Sequence, residues 1–175
     1  MKKIFISCLL GTMLCAPAVA SDLLALNPDA IAKDIDANGA KKTVQKLWGK
    51  DGGRWDSAMR KVATGDQRWL DVAAKLAEGT DAGASEGLEV SLATALPINP
   101  KGVLKLIDTN PLFTFDSVCS APFIEPTDAY LKSYLTKTQK MLKALKDDTV
   151  EQKRVGCLTQ LDKAASYFAS SKKDQ

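Results

Sequence analysis

Residues 66–97 read DQRWLDVAAKLAEGTDAGASEGLEVSLATALP, and the spacing of apolar side chains in this stretch decides the fold class. Trp69, Val72, Ala73, Leu76 and Ala77 recur at intervals of three and one, which places them in one stripe on a helix. Asp66 stands where it can cap that helix, and Gly79 where the helix ends. After a turn at 79–83, Leu88, Leu92, Ala95 and Leu96 repeat the pattern until Pro97 stops it. Two amphipathic segments joined by a short glycine-bearing turn predict an antiparallel helical hairpin.

The same periodicity continues on both sides. Toward the N-terminus, Asn27-Pro28 opens a helix carrying Ile31 and Ile35, which Asn38-Gly39 breaks. Ala40, Val44, Leu47 and Trp48 form a second helix, and Trp55, Met59 and Val62 a third beyond the glycines at 49, 52 and 53. Toward the C-terminus, Asn99-Pro100 starts a helix with Val103, Leu106 and Ile107, echoing the Asn27-Pro28 segment 72 residues earlier. Leu131, Leu135, Thr138, Leu142 and Leu145, then Leu158, Leu161, Ala165 and Phe168, predict a closing hairpin. The prediction is an all-α domain over 21–175 of about seven or eight helices stacked as antiparallel hairpins, its last residues, 170–175, frayed. Small residues such as Ala73, Ala77, Ala84 and Ala93 let helices approach closely. In architecture this resembles HEAT-like stacks or an irregular helical bundle.

The first twenty residues follow another logic. Lys2 and Lys3 precede an apolar run from Ile4 to Leu14, and Ala18-Val19-Ala20 supplies a small-residue ending. These are the three parts of a signal peptide, with cleavage expected after Ala20 and export to the periplasm. The run is too short to span a bilayer, so no transmembrane segment is expected in the mature chain. Leu14 before Cys15 does not suit lipidation. The remaining 155 residues hold 22 basic and 21 acidic side chains, a balance that argues against nucleic acid as partner. The charge is uneven: residues 130–175 hold ten basic and five acidic side chains, residues 21–129 twelve and sixteen. Cys119 and Cys157 survive processing, and two thiols in an oxidising compartment predict one structural disulfide. Neither has the neighbouring cysteine that a redox-active pair requires.

The chain has no histidine, which removes the commonest general base and the commonest zinc ligand. No catalytic motif is assembled, and neither a cofactor nor a metal is expected. Asp34, Asp36, Asn38 and Gly39 match the first six positions of an EF-hand calcium loop, but Lys41 and Gln45 replace the apolar eighth position and the twelfth-position glutamate. A helix ending at an Asn-Gly turn is the simpler reading. Trp48, Trp55 and Trp69 are expected to fill the core at helix junctions.

The stretch at 110–126 is interrupted by Pro111, Pro122 and Pro126 yet rich in Leu112, Phe113, Phe115, Val118, Phe123 and Ile124. It either covers the open end of the core, tied down through Cys119, or presents a partner-binding loop. The functional expectation is an exported, non-enzymatic protein-binding module, of the inhibitor or immunity type directed against a cell-envelope toxin. Its candidate contact residues are Phe113, Phe115, Phe123, Tyr130 and Tyr134, with Lys137, Lys140 and Lys143 steering association. The alternative is a peptidoglycan- or glycan-acting envelope factor using Glu86, with Asp81 and Glu89 nearby.

Overall fold

A computed structural model of the chain describes residues 26–171. The expected signal peptide at 1–20 lies outside them, as do residues 172–175 of the tail; helix persists through Ser171. The described residues are all-α, in the order α1 (Pro28–Asn38), α2 (Ala40–Trp48), α3 (Gly53–Val62), α4 (Gln67–Leu76), α5 (Ala82–Ala95), α6 (Pro100–Leu106), α7 (Phe115–Cys119), α8 (Asp128–Ala144) and α9 (Glu151–Ser171). Short 3₁₀ turns follow α4 and precede α9.

Local chemistry explains where the helices begin. The Asn27 carboxamide accepts from the Ala30 N–H at 2.8 Å, and Asn99 accepts from the Gly102 N–H at 2.9 Å, each with proline at the first helical position. Asn99 also donates to the Gly65 carbonyl at 2.9 Å, tying the start of α6 to the turn before α4. The echo between the two segments stops at the cap. After α1 the chain turns at Gly39 (φ +84°) directly into α2, whereas after α6 it enters the irregular stretch at 107–114.

Buried side chains from Ile31 to Leu161 form one connected core, with Trp55, Leu70, Leu88, Leu104, Ile107 and Phe113 among those wholly enclosed. Each such side chain contributes roughly 1.5–3 kcal/mol through the area it removes from water. α1 rests on α4, α2 on α1 and α3, and α8 pairs with α9 in the closing hairpin that the leucine spacing predicts. The expected hairpin of α4 with α5 is not formed, because α5 runs instead along α3 and α7. The reason is the turn between them: a Cβ on Gly79 would lie 2.3 Å from the backbone of Ala40 and Lys41, so the chain is drawn onto the start of α2 before α5 begins. α5 then lays Gly87 against Trp55 and Met59, where a larger residue would crowd the indole.

In the connection between α8 and α9, Asp147 is reached by Lys101 of α6 at 2.5 Å. That ammonium, with the Thr149 hydroxyl and N–H, holds the Asp147 carboxyl at about 2. No helix among the described residues is long and apolar enough to cross a membrane.

Candidate functional site

The apolar stretch at 110–126 divides in two. Its first half is folded inward. Thr114 and Ser117 form a reciprocal capping box that starts α7, and Phe113, Val118 and Cys119 are buried. Cys119 is bonded to Cys157 of α9, with Cα atoms 5.3 Å apart, as the cysteine count predicts. Phe115 seats its ring on Gly156, where a Cβ would approach to 2.7 Å. Gln160 donates to Asp116 at 2.7 Å across the same junction.

The second half stays at the surface. Ala121 (φ +59°) and Glu125 (φ +44°) both adopt left-handed backbone, at a cost of about 1 kcal/mol or more each for residues with a Cβ. Between them Phe123 stands edge-on to Tyr134 and Tyr130, with centroids 4.7 and 5.2 Å away. The Tyr134 hydroxyl donates to the Ala93 carbonyl of α5 at 2.9 Å, and burial pushes its phenol well above the ordinary tyrosine range. Phe123 is thus held from beneath while Ile124, 72% exposed, projects outward.

This arrangement opens a groove of about 450 Å³ between the loop and the last turns of α9, lined chiefly by Ala121, Phe123, Leu131, Ala164, Tyr167 and Phe168, with Lys163 at its side. Tyr167 is 77% exposed. Across the Phe123–Pro126 ridge lies a second depression, walled by Val90, Thr94 and Tyr130. Along α8, Lys132, Lys137 and Lys140 edge a shallow channel, with exposed Lys143 one turn further.

Of the expected contact residues, Phe123 and Tyr130 reach this surface, and Lys137, Lys140 and Lys143 are exposed beside it. Phe113 and Tyr134 do not, being buried, and Phe115 is half-buried against α9. Their aromatic character serves the junction of α5, α7, α8 and α9. Sequence reasoning missed Tyr167, Ala164 and Lys163 as surface residues. Their spacing on α9 places them together, but no apolar run marks them.

The other candidates are placed as follows. Asp34 and Asp36 lie on α1, not in a loop: Asp34 accepts from Lys46, Thr43 and Asn38, and Asp36 pairs with Lys75 at 2.9 Å. The Lys46 ammonium holds the Asp34 carboxyl below the ordinary range. Glu86 is exposed on α5, while burial and the charge of Glu86 push the Glu89 carboxyl up. Trp55 and Trp69 are core residues as expected; Trp48 is not, remaining 39% exposed. Comparison with protein-family models, curated proteins and solved structures finds no match in any of the three.

Proposed function

We propose that the protein is an exported, non-enzymatic module that binds another protein through the groove between the aromatic loop and α9, acting as a stoichiometric inhibitor or immunity-type protein against a cell-envelope toxin. The observation that carries this reading is the exposure of Tyr167 on the rim of this apolar groove, with Ile124 exposed in the depression just across the Phe123–Pro126 ridge, so that one partner can cover both. Large side chains left in water beside a concave apolar surface mark interaction sites, because covering them recovers the hydrophobic free energy that folding left unused. The left-handed residues on either side of Phe123 add to it, since strained backbone in an anchored loop is a feature of ligand-contacting segments. Lys163 and the lysines along α8 favour an acidic partner that offers an apolar side chain to the groove.

The test is capture from native cell envelope with wild-type protein and with Ile124→Asp and Tyr167→Asp variants, followed by assay of the partner's activity. A stoichiometric partner held by the wild type, released by both variants and inhibited on binding is the expected result. A partner held equally by all three overturns the groove assignment, and the lack of any stoichiometric partner overturns the protein-binding reading. Reversing Lys137, Lys140 and Lys143 to glutamate should slow association more than it speeds dissociation.

One observation favours the second reading, a glycan-acting factor at Glu86. The carboxyl of Glu89 is raised, as a general acid requires. It ranks second because Glu86 sits three residues away on the same helix rather than across a cleft.

A further inference from the structure

A second groove, of about 380 Å³, lies between the end of α2 and the start of α5, lined by Val44, Gln45, Trp48, Gly49, Asp81 and Gly83. We infer that it is a binding site for a neutral saccharide, whose ring stacks on Trp48 while its hydroxyls engage Asp81 and Gln45. Trp48 is the tryptophan left partly in water, yet its ring is held on the protein side. Trp55 lies against it with centroids 6.2 Å apart, and Gly83 and Gly52 pack close to its six-membered ring. The ring is therefore a fixed apolar platform, and the glycines keep side chains away from its edge.

The polar groups select the ligand class. Asp81 occupies the position before α5 but its side chain makes no capping hydrogen bond, and among the described residues neither its carboxylate nor the Gln45 carboxamide has a hydrogen-bond or ion-pair partner. Asp81 offers acceptors, Gln45 a donor and an acceptor, and the first turn of α5 contributes backbone N–H donors at its open end. A group that both donates and accepts satisfies this set, which describes a hydroxyl. An ammonium ion donates only, leaving the Gln45 amide N–H and the helix N–H groups unanswered, and it meets the positive end of the α5 dipole. An anion meets the Asp81 carboxylate. A pyranose fits, since one face of its ring is apolar enough to cover indole while the hydroxyls project around the rim. Neither Glu86 nor Glu89 lines the groove, which leaves Asp81 as its one carboxylate where glycoside hydrolysis uses a pair, and binding alone is inferred.

The test titrates the purified chain with maltotriose, cellotriose and tri-N-acetylchitotriose, following tryptophan emission and saturation-transfer NMR, with choline as the cationic control. At least one saccharide should bind saturably and perturb tryptophan emission. Trp48→Ala should abolish binding, and Asp81→Ala should weaken it at least about tenfold. Because Trp48 packs on Trp55, Asp81→Ala and Gln45→Ala serve as the variants that leave the core intact, checked by unchanged circular dichroism and unfolding midpoint. The inference is overturned if none of the three saccharides binds, if binding survives in Asp81→Ala and Gln45→Ala, or if choline binds more tightly than every saccharide.

Discussion

Residues 110–119 and 120–127 are neighbours, each broken by proline and each carrying large apolar side chains, yet one half is core and the other surface. The first half is held at four points: the Thr114–Ser117 capping box, the Phe115 seat on Gly156, the Asp116–Gln160 hydrogen bond and the Cys119–Cys157 bond. Backbone bonds between Asp108, Asn110 and Phe113 close the turn that leads into it. The second half has a short local bond from the Phe123 N–H to the Ala121 carbonyl and the contact of Phe123 with two tyrosine rings. Apolarity supplies a driving force for burial without direction, and directional anchors determine which segment enters the core. The segment left outside carries the exposed apolar surface a partner can use.

The contrast is sharpest at two side chains. Phe113→Ala should lower unfolding free energy in urea by up to about 5 kcal/mol, because a fully buried ring leaves a cavity. Ile124→Ala should change it by no more than about 0.5 kcal/mol. Equal losses would erase the distinction between the halves. Next in size is the bond itself. Replacing both Cys119 and Cys157 with serine frees a 38-residue loop in the unfolded chain and should cost about 4 kcal/mol. In native-state hydrogen exchange, the amides of 114–119 should then open before those of α3; unchanged protection at α7 would show that the capping box and Gly156 suffice.

A smaller effect, roughly 2 kcal/mol, is expected for Gly156→Ala, since its Cβ would meet the Phe115 ring at 2.7 Å. Phe115→Leu on that background should restore part of the loss, and a double-mutant cycle showing no coupling would argue against the seat. Smaller again is Tyr134→Phe, about 1 kcal/mol, which strips the hydrogen bond to the Ala93 carbonyl beneath the exposed half. Tyr130→Phe, on the exposed partner of the same aromatic group, should leave the thermal midpoint unchanged.

Much of this molecule was legible from local signals. The Asn27-Pro28 and Asn99-Pro100 starts, the stripes of α4, α8 and α9, and the pairing of two cysteines each depend on residues within a few positions or on elimination. The binding surface was legible only in part. Phe123 and Tyr130 stand out as aromatic residues near a proline-broken segment, but Tyr167 joins Phe123 from α9 only after the chain has folded back. Trp48 looked like a core residue because it follows Leu47 on an apolar stripe; the stripe buries Leu47 and leaves Trp48 at its edge. Its neighbours in the second groove, Asp81 and Gly83, lie more than 30 residues away in sequence.

By itself the sequence determined the helical class, the helix starts and the covalent tie, because periodicity, capping and cysteine pairing act over short range or by strict chemical preference. Only the tertiary structure decided that α5 leaves α4 for α3, that Phe113 is enclosed while Ile124 is not, and that two grooves form. Those outcomes depend on which distant surfaces meet. Close approaches at Gly79, Gly87 and Gly156 set that, and a glycine's spacing in sequence carries no record of the partner that will press against it.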